Sequence, residues 1–432
     1  MRASTSRAVL ALTLVAAGLA GAIPAIAADA PAAAASQPAN TVRPAFAAPF
    51  SAAQEALKGG NGAAALAKLK EIDTTIPDQT PYEKYLVLRV RAPAEYTVND
   101  YAAAATDFDA ILASPLLPAD DKLVMMKSLA GIYYGSEQYG KAATAIQRYL
   151  DAGGDDAQLK ELLPQAQYAN KDYAAAAKGF RAQVDAAYAA GHVPSEKLLR
   201  LLYSAYVGQK DDAGVVVAME HLAVSYPKAD YWRDLIPRTR EVDNFSDRLV
   251  LDYYRLKAQV FGHVDDRERL NYIALAARAG YPGEAKKVLD DAVANKPFTG
   301  AELADANKLR PEINKAAAAD VAQQAANENS ARAAKDGNAL VGQGLSETVS
   351  DNPAKGAQLI EQGIAKGGLR QPEDAKLHLG YAQVRAGRDA DALKTFQSVN
   401  GPNGLSSLAH AWVLYLQSKQ ASAAAPAAAA SR

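Results

Sequence analysis

The stretch "KLHLGYAQVRAGRDADALKTF" (Lys376–Phe396) reads as two amphipathic helices separated by one tight turn. No cluster of His, Cys or carboxylate in it is arranged for chemistry. After the turn comes a small residue, Ala392, and four positions later a large one, Phe396. The same design recurs along the chain. Ala65 is followed by Leu69, Ala104 by Phe108, Ala142 by Ile146, Ala176 by Phe180, Val215 by Met219 and Ala285 by Leu289. The first five small residues are 39, 38, 34 and 39 positions apart. The next gaps are 70 and 107, close to two and three further units. Fixed spacing of this length is the sequence mark of a helical solenoid. The small residue lets the second helix approach the first, and the large one fills the space between neighbouring units. One hairpin cannot bury this face alone, but stacking does.

The motif resembles the tetratricopeptide repeat, whose unit carries W-x₂-L-G-x₂-Y, then A-x₃-F, then P. Leu379, Gly380, Ala392 and Phe396 match, while Lys376 and Gln383 stand in the Trp and Tyr slots. Upstream, Leu199, Leu202, Tyr206 and Pro227 fit the same frame, as do Met126, Leu129, Ala130, Tyr133, Ala142 and Ile146. The resemblance runs from Phe50 to Gln417. It weakens over Asp230–Gly262 and Gly300–Pro353, which read as divergent helix pairs. It implies an all-α fold, a right-handed superhelix of about nine or ten hairpins without a sheet. Pro164 falls inside an expected first helix, which should kink or begin there.

The ends of the chain read differently. Arg2 and Arg7 precede an apolar run, Ala8–Ile23, and Ala25-Ile26-Ala27 supplies small residues for cleavage after Ala27. The run is shorter than the roughly 20 residues that span a bilayer. Residues 1–27 therefore read as a cleavable signal peptide, and the mature protein as periplasmic. Residues 28–49 read as an Ala/Pro-rich linker and 421–432 as a disordered tail. Between them lie an N-terminal array (50–228), divergent repeats (229–299), an Ala-rich helical segment (300–337), and C-terminal repeats with a closing helix (338–420). In that closing helix Trp412 and Leu416 should cover the apolar end of the last repeat.

Helix starts are marked by residue pairs that fit the capping box at Ser51/Gln54, Thr80/Glu83 and Thr299/Glu302. Asp120-Asp121, Asp155-Asp156 and Asp265-Asp266 also precede helical runs. They fit capping and the helix dipole better than metal binding, which needs more oxygens close in space.

A net charge of −1 argues against a general attraction to nucleic acid or anionic membrane. The absence of cysteine excludes disulfides, thiolate nucleophiles and Cys-type zinc sites. The five histidines show no metal-binding spacing. "VGQGLSE" (Val341–Glu347) lacks the third glycine of a phosphate loop. Ser225-x-x-Lys228 and Ser350-Asp351-Asn352 echo a serine–lysine enzyme, but no K-T-G follows. Seven arginines between Asp230 and Leu270 suggest an anion-binding strip; equally frequent acids there favour a solvated face with ion pairs. No catalytic residue, cofactor or metal site is assigned.

In the resembled family, peptides lie along the first helices. That pattern, projected here, marks Arg89, Lys127, Tyr134, Glu161, Tyr168, Arg200, Ser204 and Tyr381 as contact residues, with Arg385 beside them. The family's carboxylate clamp needs asparagines where this chain has Pro93, Gly131, Gln165 and Ser204. The expected function is a non-catalytic periplasmic scaffold holding protein or peptide segments of envelope proteins. A glycan-binding or glycan-processing solenoid and a self-associating structural subunit are the alternatives, and the sequence leaves the oligomeric state open. Gly380, Ala392 and Phe396 read as packing residues. Phe396→Ala should therefore cost about 3–5 kcal/mol and unfold the C-terminal end, seen as a lowered denaturant midpoint by circular dichroism.

Overall fold

The computed structural model describes residues 40–295, 298 and 300–430. The expected signal peptide, most of the expected linker, and Thr299 with its capping box lie outside these residues. Among the described residues there are twenty α-helices and no strand. They form two compact units, residues 40–192 with 201–212, and the described residues of 193–200 with 213–430.

The first unit holds α1 (Pro44–Lys58), α2 (Gly62–Thr75), α3 (Pro81–Thr97), α4 (Tyr101–Ala113), α5 (Ala119–Gly135), α6 (Tyr139–Asp151), α7 (Ala157–Ala169), α8 (Tyr173–Ala189) and most of α9 (Glu196–Gln209). The second takes the start of α9 and all but the first residue of α10 (Asp212–Ser225), then α11 (Ala229–Arg238), a 3₁₀ turn at Asp247–Leu249, and α12 (Val250–Phe261). It continues through α13 (Asp266–Arg278), α14 (Pro282–Asn295), α15 (Gly300–Ala333), α16 (Asn338–Val349) and α17 (Pro353–Lys366). The last elements are α18 (Pro372–Arg385), α19 (Asp389–Gln397) and α20 (Leu405–Ala430).

The repeated pairs carry the packing. Every small residue of the series, and every large partner four positions on, is buried. At Gly380 an added Cβ would lie 2.6 Å from the Phe396 ring, so this glycine lets α18 receive that ring. Phe396 then stacks on Trp412 of α20, with centroids 5.3 Å apart and planes 4° apart. Trp412 and Leu416 are both buried, as expected of a closing helix.

The hairpin turns share one backbone solution. The residue two positions beyond the first helix is left-handed: Asn99 (φ 65°), Glu137 (φ 61°), Lys171 (φ 65°) and Gly387 (φ 73°). Each turn is closed by two bonds of the same type, such as Lys171 N to Tyr168 O and Asp172 N to Gln167 O, both 2.9 Å. That is the Schellman arrangement, which satisfies the last carbonyls of the first helix and aims the second back along it.

The caps follow local chemistry. Thr80 and Glu83 form the expected capping box on α3. Glu83 is fully buried, and Arg43 donates to both its oxygens (Nε 3.1 Å, Nη2 2.7 Å). Burial would push the Glu83 carboxyl up, yet Arg43 and the cap amide hold it below the usual range. Asp156 caps α7 by accepting from Leu159 N.

Several expectations are corrected. The box at Ser51 does not start a helix, because α1 already begins at Pro44 inside the expected linker. Phe46 there is buried and stacks on Phe50 at 5.1 Å, so core packing overrides the Ala/Pro composition. Pro164 does not begin a helix: α7 runs through it from Ala157. The carbonyl of Lys160, which Pro164 cannot bond, accepts from Gln183 Nε2 at 3.3 Å. The tail is helical as far as Ala430, in keeping with the high helix propensity of alanine. Gly300–Pro353 contains not an even pair but a 34-residue helix, α15, and a 12-residue one, α16.

The glycines of "VGQGLSE" serve a packing role in part. A Cβ on Gly344 would lie 2.6 Å from Gly356 O, and one on Gly356 would lie 2.5 Å from Gly344 O. The α16 and α17 backbones touch there. Gly342, two residues away, has nothing within 4 Å. Gly356→Ala should therefore destabilise the chain by about 1–3 kcal/mol. Gly342→Ala should stabilise it by about 0.5–1 kcal/mol through helix propensity. Urea melts of the two variants check both signs.

Candidate functional site

The first unit presents equivalent positions of α3, α5 and α7. Arg89, Lys127 and Glu161 each stand fifteen residues before the small residue of the following helix. Arg89 pairs with Asp121 at 2.9 Å, and Lys127 with Asp156 at 2.5 Å. Each cation thus reaches an acid at the start of the next first helix. Burial would raise the Asp156 carboxyl, but Lys127 and the cap amide hold it below its ordinary value. Glu161 reverses the sign at the third position and is exposed.

Tyrosines occupy a second register, eight residues before the small residue: Tyr96, Tyr134 and Tyr168. Each packs on the first tyrosine of the following helix, Tyr101, Tyr139 or Tyr173, with centroids 5.4, 5.6 and 5.4 Å apart. All six rings are half-buried. Burial, and then the neighbouring ring, pushes the Tyr96 and Tyr134 hydroxyls above the usual phenol value. The structure therefore places Arg89, Lys127, Tyr134, Glu161 and Tyr168 at two recurring positions of one unit. Tyr96 belongs to the same series and is absent from the sequence-derived set; its offset of eight residues identifies it. Val124, 49% exposed on α5, is also absent from that set. Ser204 is half-buried on α9, and Arg200, one turn before it, is exposed.

Tyr381 and Arg385 lie in the second unit and in a different setting. Tyr381 is buried, so it is not an open contact residue. Its ring packs 5.8 Å from Trp412 and lies 5.6 Å from the guanidinium of Arg255. Arg385 is half-buried and donates to the Tyr381 hydroxyl (3.1 Å) and to Asp351 (3.1 Å).

The expected solvated face of Asp230–Leu270 is corrected at its centre. Asp252, Arg255, Lys257 and Arg269 are all buried. Arg255 makes a fork to Glu284 (Nε 2.9 Å, Nη2 2.7 Å) and donates to Asp252 at 2.7 Å. Tyr272 donates to the same Glu284 oxygen that receives Arg255 Nε (2.9 Å). The Tyr281 ring lies 5.1 Å from the guanidinium. Burial alone would lower the pKa of Arg255, but Glu284 and Asp252 raise it well above its ordinary value. Burial would likewise raise Asp252, but His378 and Arg255 hold it at about 2. Counting acids and bases along the stretch cannot show that one helix turns its charges inward.

One acid is set the other way. Glu95 Oε2 is buried without a hydrogen-bond partner. Arg91 spends its fork on Asp107 (2.6 and 3.1 Å) and stands 3.8 Å from Glu95. Burial, then the Asp107 charge, pushes Glu95 up from 4.5 to about 7 against the pull of Arg91. Among the described residues no group of three or more His, Cys, Asp or Glu is placed to hold a metal, and no helix is long and apolar enough to cross a membrane.

The raised Glu95 makes the folded chain bind a proton more tightly than the unfolded one. Stability from this group is therefore complete below about pH 4.5 and falls as pH rises through about 7. Glu95→Gln should flatten this slope and stabilise the chain at pH 8 by about 1 kcal/mol, allowing for partial exposure. Thermal melts at pH 5 and pH 8 check it.

No family model and no curated protein matches the chain. Among solved structures it is similar to the TPR domain of P58(IPK), at 12% identity over 87% of this chain and 99% of that one, with a TM-score of 0.22. It is also similar to a structure of Naa15/Naa10 bound to HypK-THB, at 12% identity over 87% and 72% of the two chains, TM-score 0.27. Yeast Tom70 shows 11% identity over 87% and 96%, TM-score 0.19. Scores this low carry no argument; the repeat fold rests on the helices, turns and packing described above.

Proposed function

We propose that the chain is an exported, non-catalytic scaffold of the tetratricopeptide type. Its first unit would hold extended segments of other cell-envelope proteins. The observation that carries this reading is the recurrence of two contact registers on α3, α5 and α7. An extended chain has a regular repeat of its own and can meet successive copies of one site. The charges at Arg89 and Lys127 are already balanced by Asp121 and Asp156, while Glu161 is exposed. A ligand of mixed charge, with apolar groups over Val124 and the tyrosine register, suits this surface better than a uniformly charged polymer.

The tyrosine pairs also bear on glycan binding. Each ring already packs on its neighbour, which leaves it less free to stack on a sugar. Export rests on the basic n-region at Arg2 and Arg7, the apolar Ala8–Ile23 and the small residues at Ala25–Ala27.

Two measurements test the proposal. Fractionation with intact-mass analysis should find the chain in the periplasm without residues 1–27; a cytoplasmic, full-length chain would contradict export. Crosslinked pulldown from envelope extract should recover specific proteins with the wild type. The double variant Lys127→Glu/Glu161→Lys should recover them at least about tenfold less, the loss of roughly 1.4 kcal/mol. No partner, or equal recovery by the folded variant, would overturn the scaffold reading.

A further inference from the structure

Helix α12 departs from the rest of the array. A surface helix buries one stripe, but α12 buries eight consecutive residues, Val250–Lys257. It is not apolar all round: Asp252, Arg255 and Lys257 are among the eight. Partners for these charges come largely from helices that follow α12. Glu284 of α14 forks Arg255, and Tyr272 of α13 supports that carboxylate. His378 of α18 faces Asp252 at 3.3 Å. Asp265 and Glu268 hold Lys257. Just before the helix, Arg248 forks Asp374 of α18 (2.7 and 3.1 Å). Towards its end Gln259 donates to Tyr415 of α20 at 3.0 Å. The Tyr254 ring packs 5.4 Å from Tyr272.

These contacts read α12 side chain by side chain. Glu284, Tyr281 and Tyr381 form a receptor for one arginine: a planar carboxylate for the fork and two ring faces for the guanidinium. A helix joined to a fold only by apolar packing needs no such receptor. Paired, desolvated charges discriminate among helices because a wrong one leaves a buried carboxylate alone.

We infer that α13, α14, α18 and α20 build a helix-binding groove that reads an arginine preceded three residues earlier by an aspartate, and that α12 occupies it in cis. A partner helix of that chemistry enters only in exchange for α12. The second unit is thereby kept closed to other helices, independently of what the first unit binds.

A labelled peptide with the sequence of residues 246–262 tests this on the full-length chain by fluorescence anisotropy. Arg255→Ala in the chain weakens the cis helix, so this chain should bind the peptide at least tenfold more tightly than the wild type does. Replacing Arg255 of the peptide by alanine, with its Arg248 kept, should abolish that gain, and so should adding Glu284→Gln to the chain. Equal binding to the two chains, or binding indifferent to Arg255 of the peptide, would overturn the inference. Hydrogen exchange on the wild type needs no variant and decides the matter if Arg255→Ala fails to fold. The α12 amides should exchange at least tenfold faster than those of α13, α14 and α18. Exchange at the same rate would make α12 an ordinary core helix and overturn the proposal.

Discussion

The packing depends on a large side chain seated against a neighbour that gives it room. Phe396 over Gly380 shows the contact most plainly, since a Cβ there would stand 2.6 Å from the ring. The buried small-and-large pairs at Ala65/Leu69, Ala104/Phe108 and Ala176/Phe180 repeat the second-helix half of that arrangement. Close approach maximises dispersion contact and removes apolar surface from water. It also sets the distance between successive first helices. The recurring positions of Arg89, Lys127 and Glu161 therefore follow from packing before any ligand is considered.

The two units use charge differently. In the first, Arg89–Asp121 and Lys127–Asp156 link successive first helices at positions water still reaches. Such pairs add little stability but fix the orientation of long side chains. In the second, Arg255, Glu284 and Asp252 are withdrawn from water together. Removing any one would leave a buried charge uncompensated, so the group acts as a unit. The first unit also buries carboxylates, Glu83 and Asp107, each held by an arginine fork, whereas Glu95 Oε2 is buried with no donor.

Much of the fold is legible in the sequence because the small-and-large pairs repeat at near-constant intervals. The hairpin turns were less so, since Glu137 and Lys171 adopt the left-handed conformation without a glycine to announce it. Pro44 and Phe46 were hidden by an Ala/Pro-rich neighbourhood, although Phe46 is part of the core. The place of α12 was illegible for a different reason. Its partners Glu284, His378 and Tyr415 lie far along the chain, and local pattern carries no information about them. The sequence brought Tyr381 forward as a contact residue by register, but not that the side chain facing it is Arg255 of the same chain.

The central functional claim is that ligand segments lie on the first-helix registers and not on the second helices. A photo-crosslinking amino acid placed at Glu161, on α7, tests this against the same group at Lys178, on α8; both positions are exposed. After illumination in intact cells, the account predicts discrete protein adducts at 161 and none at 178. Adducts at 178 alone, or the same adducts at both, would contradict it.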